Sequence, residues 1–425
     1  MEYREDPQGK REESGAEESE YSFMQETIKD ERMTGKKTRN LIWKYAGLGL
    51  VFGMTASLSF CALKPWLESR FQSNPEKVTI PVEEEDEQEV EEETDIVIDQ
   101  ALTIDNYREL NKAIVQVGEN AEKCVVEIIA ETEESQWKTS TYDEKNSVSG
   151  MLVADNGQEL LIFAKSSVVK NAISLKASFN NGKTYNAKLK AKDENLGFAI
   201  FAVDKQDVSD SIWNSVAIAN LGSSNSMNRG DVIIALGSPF SYSNGMGIGI
   251  VASSENEVQE VDGEYGLLTT DIAGTPNGTG ILVNIRGEVV GLIDQSITNE
   301  DSANLITAYG ITNLKMMIEV LSNGNSVPYI GIRGVTITET IANAEGIPQG
   351  VYVQEVAADS PAMEAGIQSG DIITKMGKEE IELLSVYNMR LMKLEVGDKV
   401  KIEGKRQGAG GYVDIDFTVT VGSKE

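Results

Sequence analysis

From Cys124 onward the chain alternates short apolar runs with polar turns, and the runs fall into two sets of six. Cys124–Ala130, Ser147–Ala154, Leu160–Ala164, Ile173–Phe179, Thr184–Lys190 and Phe198–Val203 form the first set. Asp231–Gly237, Gly245–Ser253, Leu267–Thr270, Gly280–Asn284, Val289–Ile293 and Leu305–Ile311 form the second. Runs this short, rich in Val, Ile, Leu and Phe and bounded by turn residues, predict β-strands. Asn156-Gly157, Asn181-Gly182, Asn244-Gly245 and Asp262-Gly263 supply the dipeptides of tight hairpins. Two sets of six short strands predict two small closed barrels packed together.

Helical spacing brackets these strands. Ile104 to Glu122 places Tyr107, Leu110, Ile114 and Val117 on one stripe, and Asn313 to Leu321 predicts a closing helix. The last hundred residues mix strands (Gly350–Glu355, Lys399–Gly404, Tyr412–Val421) with helical patterns at Pro361–Ala365 and Leu384–Leu394. They predict a separate α+β module.

The N-terminal hundred residues pattern differently. Residues 1–40 are polar and predict a disordered tail. Tyr45 to Leu63 is nineteen residues without a charge, enough at about 1.5 Å per residue to cross a hydrocarbon core of roughly 30 Å. Lys36, Lys37, Arg39 and Lys44 outweigh Lys64 and Arg70 across it. The expectation is a single transmembrane helix over 41–64 in the cell membrane, with the N-terminus cytoplasmic and the C-terminal domains extracytoplasmic. Glu83 to Asp95 carries ten acids and no base, so 65–100 is expected to be an extended acidic linker. The domains then run 101–325 for the barrels and 326–425 for the last module.

Charge and composition narrow the chemistry. A formal net charge of −30 argues against nucleic acid, because phosphates are met by clustered Lys and Arg. Cys61 and Cys124 lie in unrelated segments, so neither a disulfide nor a thiolate metal site is expected, and no cofactor or metal is indicated. The chain contains no histidine. That removes the commonest general base at neutral pH.

The residues resemble the HtrA (high-temperature-requirement) family, a trypsin-like serine protease followed by a PDZ domain. Asn181-Gly182-Lys183 through Lys192-Asp193 resembles the hairpin before the family's Asp-Ile-Ala-Leu. Gly230-Asp231 to Gly237-Ser238-Pro239-Phe240 resembles its Gly-Asp…Gly-Asn-Pro-Phe. Gly249–Ser253, Thr269-Thr270-Asp271 and Leu282–Gly291 resemble the strands around its nucleophile. Ser360-Pro361-Ala362…Ala365-Gly366-Ile367…Gly370-Asp371-Ile372-Ile373 resembles the PDZ signature. The resemblance implies a mainly β fold: a trypsin-like double β-barrel followed by an α+β PDZ domain.

Aligned on those motifs, every relay position is altered. Ser167 stands at the histidine, Gly197 at the aspartate and Gly278 at the serine. The last loop is one residue shorter than the family pattern, so its register admits a shift of one. Pro276 falls where a backbone N–H would line the oxyanion hole, and proline has none. A substitute dyad would draw on Thr279 or Ser166 with Lys165. In the PDZ part, Tyr329-Ile330-Gly331-Ile332 resembles the carboxylate-binding loop, and Met389 on the Leu384–Leu394 helix is placed to face a ligand. A valine at Gly331 is expected to obstruct the loop and leave the fold intact.

The expectation is a membrane-anchored HtrA-like pseudoprotease, not an enzyme, that binds peptide C-termini or unfolded segments. It would serve as a scaffold or regulator of envelope protein quality control. The resemblance also implies a homotrimer or an assembly with an active relative. The alternatives are an active endopeptidase with an unorthodox nucleophile, or a purely structural envelope protein.

Overall fold

The computed structural model describes Met54 and residues 75–81, 103–132, 146–180, 182–213, 216–298 and 304–424. The expected tail and membrane helix lie outside these, Met54 excepted. No helix among the described residues is long and apolar enough to cross a membrane.

Strands β1 (Val125–Glu131), β2 (Ser147–Asp155), β3 (Glu159–Lys165), β4 (Ser174–Phe179), β5 (Thr184–Asp193) and β6 (Phe198–Asp204) close one barrel in the order β1-β2-β3-β6-β5-β4. Strands β7 (Val232–Ser238), β8 (Gly245–Glu260), β9 (Gly263–Ala273), β10 (Thr279–Asn284), β11 (Val289–Asp294) and β12 (Leu305–Gly310) close a second in the order β10-β11-β12-β9-β8-β7. The two sets of six are therefore two barrels.

Side-chain alternation explains why β3 and β6 read as unbroken apolar runs. Leu160, Ile162, Ala199 and Phe201 point into the first barrel. Their neighbours Leu161, Phe163, Phe198 and Ile200 point outward into a core shared with the second barrel. Both faces are dry, so neither face needs polar residues. Ile234, Leu236, Ile281 and Val283 meet them from the other side. Aromatic rings bridge the seam: Phe163 to Phe198 at 5.3 Å, Phe198 to Tyr309 at 5.4 Å and Tyr309 to Tyr265 at 6.0 Å between centroids. Edge-to-face and tilted pairs at this separation are the favoured arrangement of ring quadrupoles.

Helix α1 (Ile104–Ala121) opens on a capping box between Thr103 and Asn106. Its stripe divides: Ile114 and Val117 pack on the shared core, whereas Tyr107 and Leu110 are exposed. Helix α2 (Ile311–Ser322) buries Leu314, Met317, Ile318 and Leu321 in that core. Val78 and Ile80, within the expected extended linker 65–100, are held against α2: Asn323 exchanges two hydrogen bonds with the Val78 backbone, and Ile80 N–H donates to Glu319 at 2.9 Å.

The C-terminal module is a sheet of β13 (Ile332–Ile337), β14 (Gly350–Val356), β15 (Ile372–Met376), β17 (Lys399–Gly408) and β18 (Gly411–Thr420), with the short β16 (Glu379–Glu380) on β15. Helices α3 (Glu339–Glu345), α4 (Pro361–Ala365) and α5 (Leu384–Leu391) accompany it. Helix α4 has the predicted punctuation: a Ser360 cap, Pro361 in the first turn, and Gly366 left-handed at the exit.

One element departs from the barrel plan. β8 and β9 were expected to end near Ser253 and begin near Leu267. Instead they continue as a two-stranded ribbon in which Asn256 to Glu260 pair with Leu267 to Gly263. This ribbon turns at Val261-Asp262 and reaches the C-terminal module.

Candidate functional site

Residues Tyr329 to Ile332 form a loop whose backbone N–H groups converge. Tyr329 is tied to the segment just after the last strand by two reciprocal bonds of 2.9 Å with Gly422. The Ile330 and Gly331 carbonyls turn away and accept from Ala362 and Ala357 N–H, each at 2.9 Å. That peptide rotation needs the positive φ of Gly331, +94°, which glycine adopts without a Cβ clash. It leaves three donors aimed at one point.

The point is filled by Asp262 from the ribbon tip. Asp262 Oδ2 accepts from Ile330 and Gly331 N–H, both at 2.7 Å, and Oδ1 accepts from Ile332 N–H at 3.1 Å. Tyr387 on α5 donates its hydroxyl to Oδ1 at 2.9 Å. The Asp262 N–H donates to Ile332 O at 2.7 Å, as an added strand would. Asn388 Nδ2 reaches the Asp262 carbonyl at 2.8 Å. Asn195, on the first barrel's β5–β6 turn, donates to the neighbouring Val261 carbonyl at 2.7 Å. Arg333 reaches the Gln259 carbonyl and the Glu260 carboxylate.

Asp262 is buried and itself left-handed at φ +61°. Burial pushes its carboxyl upward from the ordinary aspartate value, while the backbone and tyrosine hydrogen bonds pull the other way. The same burial, with the Asp262 charge beside it, pushes the Tyr387 hydroxyl well up.

Ile330, Gly331 and Ile332 thus surround a side-chain carboxylate, whereas the Tyr329 N–H is spent on Gly422. From α5 it is Tyr387 and Asn388 that touch the occupant, and Met389 is half-buried beside them. Sequence reasoning missed Asp262, Tyr387, Asn388 and Asn195. The only signal was the Asp262-Gly263 turn dipeptide, and it carries no indication of its distant partner. The expectation for Gly331 needs correction: an added Cβ would lie 2.3 Å from Ser360 Cβ, so a valine there disturbs the fold as well as the loop.

Of the three expected relay positions, Ser167 and Gly197 lie on the first barrel and Gly278 lies in the turn before β10 of the second. Ser167 is exposed on a 3₁₀ turn after β3. Its neighbour Ser166 donates its N–H to Gly197 O at 2.8 Å, and Gly197 is left-handed at φ +72°. Gly278 closes a turn by donating its N–H to Thr275 O at 2.8 Å. A Cβ there would lie 2.6 Å from the Pro239 carbonyl oxygen, so this backbone does not admit a serine at 278. A shift of one register places Thr279 at the nucleophile. Its Oγ1 is buried and accepts the Ser149 N–H at 2.9 Å. Lys165 Nζ donates to Asp294 Oδ1 at 2.6 Å and to Ser296 Oγ at 3.2 Å. Among the described residues, no group of His, Cys, Asp and Glu is arranged to hold a metal ion.

Comparison with known proteins agrees with this architecture. A trypsin-like peptidase domain model matches residues 148–292 and a PDZ domain model matches 328–417. Serine protease Do-like HtrB of Bacillus subtilis is 27% identical over 290 residues, covering 64% of this chain and 62% of the relative. Periplasmic serine endoprotease DegP of Salmonella typhimurium is 27% identical over 260 residues, covering 59% and 52%. The chain therefore spans about half to three-fifths of the length of these relatives. Among solved structures, the HtrA-type protease AlgW with a decapeptide superposes at a TM-score of 0.52, with 19% identity over 73% of this chain and 99% of that one. AlgW with a tripeptide gives 0.53, with 20% identity over 73% and 97%.

Proposed function

We propose that this HtrA-type chain, a trypsin-like double barrel carrying a PDZ domain, works as a peptide-binding pseudoprotease. Its domains would lie outside the cytoplasm, anchored by the 41–64 helix. The observation that carries the reading is the loop Ile330–Ile332, whose three N–H groups meet a carboxylate at 2.7–3.1 Å. A loop that holds a side-chain carboxylate this way has the donors to hold the terminal carboxylate of a peptide, and Ile332 O, which accepts the Asp262 N–H, is placed to accept a peptide's last N–H in its stead. The solved relatives that superpose on this fold include complexes of AlgW with peptides, which supports the same use here.

The non-catalytic part of the reading rests on the chain having no histidine and on how Lys165 is engaged. A Ser-Lys or Thr-Lys dyad needs a lysine nitrogen free to take the hydroxyl proton. Lys165 instead donates to Asp294 and Ser296. Scaffolding or regulating envelope protein quality control, alone or with an active relative, is the role these two features fit. The test is fluorescence polarisation of the full chain, up to millimolar peptide, with labelled peptides ending in a free carboxylate or an amide, run beside casein digestion. Selective retention of the free-carboxylate peptides and intact casein are expected. Equal binding of the amides would reject carboxylate capture, and casein cleavage would reject the pseudoprotease.

A further inference from the structure

We propose that Asp262 is a built-in ligand of the PDZ loop, which an incoming peptide C-terminus must displace; this rests on the peptide-binding reading above. The argument starts from satisfaction of donors. The loop has three convergent N–H groups, and Asp262 meets all three with two oxygens. The adjoining strand edge is met as well, since the Asp262 N–H pairs with Ile332 O at 2.7 Å. A peptide terminus would need those same four partners, so ribbon and peptide exclude one another.

The mimicry depends on two local features. A chain terminus presents its carboxylate on the last Cα, whereas Asp262 presents one a carbon further out, on a residue whose chain continues into Gly263. The left-handed φ of +61° at Asp262 turns the backbone away, so that side chain and N–H both face the loop. Aspartate tolerates that region better than most residues. The tip is also gripped from behind, where Asn195 holds the Val261 carbonyl. That turn is the one that carries Gly197, so the ribbon tip is shared between the former relay site and the PDZ loop. Displacing Asp262 frees one side of the grip, and the first barrel retains the other.

The experiment compares the full chain with Asp262→Ala. The probes are fluorescein-labelled decapeptides ending in Ala, Val, Leu or Phe with a free carboxylate, each matched by its amide. Asp262→Ala should bind the free-carboxylate probes at least about tenfold more tightly than the unaltered chain, because the occupied fraction no longer has to be opened first. Amides should bind neither protein. Equal affinity of the two proteins for the free-carboxylate probes would overturn the built-in ligand and leave the peptide-binding reading standing. Failure of both proteins to bind any probe would overturn that reading too. Hydrogen exchange at the Ile330, Gly331 and Ile332 amides gives a readout without peptide and also reports whether the variant is folded. These three should be protected in the unaltered chain and exchange faster in Asp262→Ala, with the β17 and β18 amides unchanged. Unchanged exchange at the three would also overturn the proposal. Asp262→Asn, which keeps the side chain's shape and one acceptor oxygen, should fall between.

Discussion

Lys165 at the end of β3 and Asp294 at the end of β11 tie the two barrels together, Nζ to Oδ1 at 2.6 Å, with the aspartate side chain only 3% exposed. Asp294 also accepts from Ser296 N–H and Oγ, at 2.9 and 2.6 Å. A carboxylate this buried depends on its countercharge. Lys165→Met should therefore cost about 2–4 kcal/mol, read as a lower urea midpoint at constant slope. Adding Asp294→Asn should recover most of the loss, since the buried charge goes with its partner. A double variant no more stable than Lys165→Met would mean that the lysine acts through packing.

Rebuilding the relay should fail. Ser167→His, Gly197→Asp and Gly278→Ser together supply the missing side chains, but the serine Cβ meets the Pro239 carbonyl at 2.6 Å. The expected result is a lower melting temperature and casein left intact. Hydrolysis by the triple variant would show that the 275–278 turn rearranges into a working oxyanion loop.

Gly331→Ala should destabilise the PDZ domain itself. The left-handed backbone and the 2.3 Å approach to Ser360 Cβ predict a loss of about 2–3 kcal/mol. Chemical denaturation followed by tyrosine fluorescence checks this. An unchanged midpoint with lost peptide binding would restore the simpler picture of an obstructed loop on an intact fold.

The ribbon carries one carboxyl that titrates well above its ordinary range. Glu264 is raised from its ordinary 4.5 to about 7, chiefly by a hydrogen bond with Glu257, then by burial and by the like charge. A raised carboxyl contributes stability that is complete below the unfolded value and is lost as pH rises through the folded one. The urea midpoint should therefore fall between about pH 4.5 and 7, and less steeply in Glu264→Gln. Parallel profiles for the two proteins would show that Glu264 is not raised in the folded chain.

Barrels and PDZ module were legible because their strands obey local rules. β10 and β11 are buried along their whole length and read as apolar runs, and α4 carries its own start and stop residues. The ribbon was not legible. Its residues Ser254 to Glu260 are polar apart from Val258, because they leave the barrel and pair with their own hairpin, so they look like loop. Asp262 was read as a turn residue, which it is. Its partners lie 68 to 70 residues further on, and no local pattern links a hairpin tip to a loop at that distance. The steric refusal of a side chain at Gly278 was not legible either, because it comes from a carbonyl at another strand's end.

The ribbon joins ligand and receptor in one chain, and this sets a threshold of concentration. A tethered group competes at an effective concentration that, for short connections, is of millimolar order whatever the amount of protein present. Isolated chain ends, common in any compartment but dilute and weak, would be outcompeted by the hairpin. If Asp262 is the built-in ligand proposed above, the site would answer to ends delivered at high local density and ignore the background of ordinary ones.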